Sequence, residues 1–209
     1  MEKPAARIMY AVGESFFLAL CTLLPTLFIF VDVVVMGHQV SESSLTEHAQ
    51  VILLFVSALL FLLHSWRHLG SRGFCLLVSG FFGCMLIREV DGYLDLVWHG
   101  FWVWPANLLA IVTILYVALC CRNTVLVPMA AFINTKPYFH IVFGLLIVMV
   151  FSRTFGSGTL LWEPLLGEDY EYIFKSALQE GLELLGYIFI SYGSYCFLRR
   201  AESETFVAE

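Results

Sequence analysis

Toward the C-terminal end of the chain, Ser176, Glu180, Glu183, Tyr187, Ser191 and Ser194 follow one another at steps of three and four among largely apolar neighbours. On an α-helix this spacing places them all on one face. Glu180 and Glu183 then stand one turn apart. Two carboxylates so close repel when both are ionised, so the pair is expected to hold a proton or to share a cation. The structural alternative is a Glu–Arg brace with ordinary Ser and Tyr hydrogen bonds between helices.

Candidate partners come from two other apolar runs. Cys84, Arg88, Asp91 and Asp95 fall near one helical face, with Glu89 beside them, and Arg153 closes a later run. Arginine stays charged and offers a planar fork that matches carboxylate or phosphate. Facing Glu180 and Glu183, Arg88 and Arg153 would build an ionic cluster near one end of a bundle. Alternatively both snorkel to lipid headgroups.

Other polar residues carry weaker signals. Ser44-x-x-Glu47 reads as a capping box at a helix start, although a cap can also line a cavity. Further along that helix, Gln50, Ser57, His64 and His68 follow at compatible spacing. Glu47, His48, Glu180 and Glu183 have the chemistry of a divalent metal site, but their spacing is unspecific. A two-haem cytochrome needs matched histidine pairs across helices, and His48 with His64 finds no single partner helix. HExxH, GxSxG and Walker signatures are absent. The cysteines (Cys21, Cys75, Cys84, Cys120, Cys121 and Cys196) lie in or beside apolar runs without CxxC spacing, as small packing residues do. No cofactor is indicated.

The elements that position these groups follow from composition. The chain of 209 residues is 60% hydrophobic and only 13% charged, against about 25% charged in soluble domains. Too few polar residues are present to cover a soluble surface. Runs near the roughly 20 residues that a spanning helix needs occupy about 9–36, 49–66, 73–90, 101–121, 138–155 and 172–198. We therefore expect an all-α, polytopic membrane bundle of six transmembrane helices forming one domain. Pro25 is expected to kink the long first helix, with Glu14 and Asp32 toward its opposite ends. Trp98, Trp102 and Trp104 read as an interfacial belt. The apolar stretch Val125–Ile133 reads as a segment lying in the interface.

Six crossings bring Lys3, Arg7, Arg67, Arg72, Arg122, Lys136, Arg199 and Arg200 to one end. The opposite end carries the acidic stretches Ser41–Glu47, Asp91–His99 and Glu163–Glu171. The positive-inside rule makes the basic end, with both termini, cytoplasmic. Arg88, Arg153 and Lys175 break the pattern, which singles them out. No basic stripe suggests nucleic acid. The expected partners are membrane lipids and other copies or chains in a homo- or hetero-oligomer. Compactness suits a bacterial inner membrane.

Three functional readings emerge. The first is an outward-facing ionic site for an ion or small solute, with binding or transport carried by Glu180, Glu183, Arg88, Arg153, Asp91, Glu47 and Tyr187. The second is an enzyme acting on a lipid or lipid-linked phosphate, with arginines on the headgroup and a carboxyl as acid or base. The third is an accessory or assembly protein whose charges are purely structural.

Overall fold

The computed structural model describes residues 4–37, 44–166 and 172–208, the side chains of residues 7, 172, 173 and 201–208 aside. Lys3, His38 and residues 41–43 and 167–171 of the acidic loops lie outside the described residues. Every described element is helical, and six helices are long and apolar enough to cross a membrane. These are α1 (Pro4–Val35), α2 (Leu45–Arg67), α3 (Leu69–Glu89), α4 (Val103–Thr124), α5 (Lys136–Phe155) and α6 (Phe174–Arg200). All six coincide with the apolar runs of the sequence, with small shifts at the edges.

Local chemistry explains the breaks and starts. The first helix is interrupted between Cys21 and Leu24, just ahead of Pro25. Proline lacks an N–H, and its ring crowds the carbonyl four residues back, so the turn before it opens. Ser44 caps α2 by accepting from the Glu47 N–H at 3.2 Å. The same helix start receives a second cap from outside. Both Asp32 carboxylate oxygens, fully buried, accept from α2: the Leu45 N–H at 2.8 Å, the Thr46 N–H at 3.0 Å and the Thr46 hydroxyl at 2.6 Å. Negative charge is favoured at a helix N-terminus. Thr135 caps α5, with Pro137 in its first turn.

α6 is the centre of the bundle. Half of its most apolar window is buried inside the protein, against 11% for α1 and 6% for α4. α2 and α5 pack on α6, α3 flanks α2, α4 lies outside α3, and α1 rests against α6 and α2. α5 and α6 approach to backbone contact. A methyl group added at Gly144 would stand 2.5 Å from the Gly186 carbonyl oxygen. Small residues permit such approach between helices in lipid.

The half of the bundle toward the basic end is closed by aromatic side chains. Phe61 stacks on Phe197 with centroids 4.9 Å apart, and Phe74, Phe82 and Phe132 pack around them. Phe132 belongs to the short helix Leu126–Ile133, whose Leu126 and Val127 stay exposed. A polar latch ties this end together: Lys136 pairs with Glu14 at 3.2 Å, and the Tyr192 hydroxyl donates to the other Glu14 oxygen at 3.2 Å. α1 is thus held by polar contacts at both ends, through Glu14 and Asp32.

Candidate functional site

The acidic-end half of α6 positions the site. Glu183 is almost fully buried, and three groups converge on its Oε1. Arg153 Nη2 stands 3.0 Å away, Gln179 donates from one turn back at 3.2 Å, and the Ser152 hydroxyl lies at 3.2 Å. Ser152 and Arg153 come directly after a π-helical turn, Ile147–Phe151, in α5. The wider turn changes the register of the residues beyond it, a device frequent at functional sites. The Gly144–Gly186 contact deeper in the bundle brings α5 close enough for the pair to form.

One turn deeper on α6, Tyr187 is completely buried and donates to Glu89 Oε1 at 2.7 Å. Arg88 Nη1 meets the same oxygen at 2.7 Å. Glu89 is itself buried, so α3 and α6 are joined by a hydrogen-bonded carboxylate in the protein interior. Glu183 lies within electrostatic reach of both Glu89 and Glu180. The result is one continuous charged layer rather than separate pairs.

Glu180 occupies the side of α6 that faces α2. The buried Gln50 amide donates to its Oε2 at 3.0 Å and to its backbone carbonyl at 3.1 Å. Glu47, one turn from Gln50, feels the Glu180 charge, and Asp91 does the same for Arg88. His48 is exposed, with Nδ1 2.7 Å from the Ser44 carbonyl. Among the described residues no three metal-ligating side chains are grouped to hold an ion. Glu47, His48, Glu180 and Glu183 therefore do not form a ligand cage together.

Arg88 and Arg153 both line one cavity of about 240 Å³, with Glu89, Tyr187, Met85, Val148 and Met149. Glu89 lines the cavity together with the guanidiniums, and Glu183 pairs with Arg153 outside the lining. The Arg88 and Arg153 side chains are 36% and 41% exposed, those of Glu89 and Glu183 6% and 3%. A guanidinium carries five N–H donors in a rigid fork. Among the described residues each of these arginines makes one carboxylate contact, which leaves further N–H donors on both forks. The arrangement can bind a small anionic group against two forks, each paired with a buried carboxylate.

The structure brings together Glu180, Glu183, Arg88, Arg153 and Tyr187, but with pairings the spacing did not show. Arg88 pairs with its chain neighbour Glu89, not with a carboxylate of α6. Asp32 does not join the layer, because capping α2 occupies both of its oxygens. Ser194 bonds the Ile190 carbonyl of its own helix at 2.7 Å. Asp95 turns back to the Gly100 N–H and to His99. Glu89, Gln50, Gln179 and Ser152 complete the site. Gln179 carried a legible signal, its i, i+4 relation to Glu183.

No protein-family model matches the chain, and comparison with curated proteins and with solved structures returns no match.

Proposed function

We propose that the chain is a small integral membrane protein whose acidic-end layer binds, and in a transport role passes, a small anionic solute between Arg88 and Arg153. The observation that carries this reading is the shared cavity. Two cationic forks from different helices line the same space, each paired with a buried carboxylate. A purely bracing ion pair has no need of a cavity in front of it. The volume falls just under the range of about 300–1,000 Å³ usual for drug-sized ligands, which favours something smaller. The positive-inside bias puts the site on the outer side, with both termini cytoplasmic, and a bacterial inner membrane remains the setting that suits the chain.

The test is thermal unfolding of the full chain in detergent, with phosphate or sulfate exchanged for chloride at constant ionic strength. The expected result is stabilisation of the wild type by an oxyanion. A variant combining Arg153→Gln with Glu183→Gln, which strands no charge, is expected to lose it. Uptake of labelled phosphate or sulfate into proteoliposomes then separates binding from transport. If no oxyanion shifts the midpoint and none is taken up, the reading fails.

A second reading has its own support. Glu89–Tyr187 ties α3 to α6, and Arg153–Glu183 ties α5 to α6, as a structural clamp for an accessory protein would. Under it, the paired variants would keep the fold and change no binding.

A further inference from the structure

Resting on the anion-site reading, we propose that the occupant is an anionic phospholipid, with its phosphate against Arg88 and Arg153 and a tail in the cleft between α3 and α5. The arginine-lined cavity is followed along the same helices by a second one. One turn beneath it, an apolar cavity of about 350 Å³ lies between the same two helices, with Met129, Phe132 and Ile133 of the short helix Leu126–Ile133 forming its far wall. Leu77, Val78, Phe81 and Phe82 of α3 face Ile141, Val142 and Leu145 of α5 across it. Met85 and Val148 line the charged cavity one turn beyond Phe81 and Leu145. On α3, lining residues run from Leu77 through Phe81 and Met85 to Arg88 at steps of three and four, one unbroken helical stripe.

The dimensions fit one leaflet. Arg88 to Leu77 is eleven residues, about 16 Å of helix rise, and one leaflet of hydrocarbon is about 15 Å thick. The chemistry changes along that length as it does along a lipid: ionic at one end, apolar beneath. Phe82 of α3 and Ile141 and Val148 of α5 share one buried core, whereas Phe81, on the α3 wall of the cleft, is exposed. The headgroup follows from exposure, since the two guanidiniums are far more exposed than the carboxylates they pair with and are the charges an incoming lipid meets first.

A second large groove, lined by α2, α3 and α4, offers a contrast. Its volume is about 410 Å³, but its lining is apolar apart from Ser79, Thr113 and Tyr116, with no charged group. Any acyl chain would fill that groove equally well. The α3–α5 cleft adds the arginine pair that this groove lacks.

The experiment reconstitutes the full chain in nanodiscs of equal phosphatidylglycerol and phosphatidylcholine, then re-extracts it and identifies retained lipid by native mass spectrometry. Wild type is expected to retain phosphatidylglycerol over phosphatidylcholine by about tenfold, because both carry the phosphate but only phosphatidylcholine adds a cationic choline beside the two guanidiniums. Two variants test the two halves of the cleft. Arg88→Gln with Glu89→Gln and Arg153→Gln with Glu183→Gln, combined, removes the headgroup contacts without stranding a carboxylate. Val142→Trp fills the apolar slot and leaves both arginines in place. Each should abolish the preference, whereas Val142→Trp should keep the oxyanion-dependent thermal shift.

Equal retention of both lipids by the wild type, or undiminished preference in Val142→Trp, would overturn the proposal. If the oxyanion shift persists alongside either result, a soluble anion is the occupant and the underlying site reading stands. If the shift is missing as well, both readings fall together.

Discussion

Glu89 and Tyr187 are 98 positions apart in the chain and share a 2.7 Å hydrogen bond in the middle of the protein. The order of costs at this site depends on which partner is buried. Arg88→Gln would strand Glu89, a buried carboxylate, and removing one member of a buried pair costs about 3–5 kcal/mol. Glu89→Gln strands Arg88 instead, which is partly exposed and can be screened, so the loss should be distinctly smaller. Tyr187→Phe should cost about 1.5–3 kcal/mol, the range for a hydrogen bond to a charged group. Unfolding free energies by steric trapping would rank the three, and equal losses for the two charge removals would contradict the burial order. This residue level was only half legible in the sequence. The α6 face was readable, because steps of three and four place Glu180, Glu183 and Tyr187 together whatever surrounds them. Arg88 and Glu89 were not readable as partners, since adjacent residues point about 100° apart on a helix and only a long side chain closes the gap.

Between helices, the contact that positions the charged layer contains no charge at all. Gly144 and Gly186 let α5 and α6 touch, and Arg153 reaches Glu183 just beyond them. Gly186→Leu should therefore force α5 outward and weaken the Arg153–Glu183 pair without altering either residue. The expected outcome is a lower unfolding midpoint and loss of the oxyanion shift. A cross-link test adds a geometric readout: cysteines replacing Ser152 and Glu183 in a background without native cysteines should bridge efficiently with Gly186 intact and poorly in Gly186→Leu. Unchanged cross-linking would show that the glycine pair does not set the spacing. The six apolar runs were legible because span length and hydropathy act within one segment. Helix rotation, the π-helical turn before Ser152 and the capping of α2 by Asp32 were not, because each is decided by a second segment. Asp32 illustrates this well: thirteen residues separate it from Leu45, and nothing in its own neighbourhood announces its role.

At the scale of the whole molecule, charge is divided between the two ends. Glu14, Lys136, His64 and Ser71 gather at the basic end, and Asp32, Glu89, Glu180 and Glu183 at the acidic end. If the positive-inside bias sets orientation, a fluorescent protein fused after the last residue should fold and fluoresce in a bacterial host. Alkaline phosphatase at the same junction should be inactive. The reverse pattern would place the arginine cavity on the cytoplasmic side and reassign the leaflet from which it is reached. The central position of α6 has a consequence for how the protein is made. It comes after the other five helices in the chain, yet it supplies the surface on which α1, α2 and α5 pack. In a membrane those helices would enter the bilayer ahead of their common neighbour, with Arg153 and Glu89 not yet joined to Glu183 and Tyr187. Arrival of the last span would then act as the closing step of biogenesis, converting loosely associated helices into a bundle. A ribosome that stalls before α6 would leave behind a product that quality-control proteases can recognise by its unmatched charges.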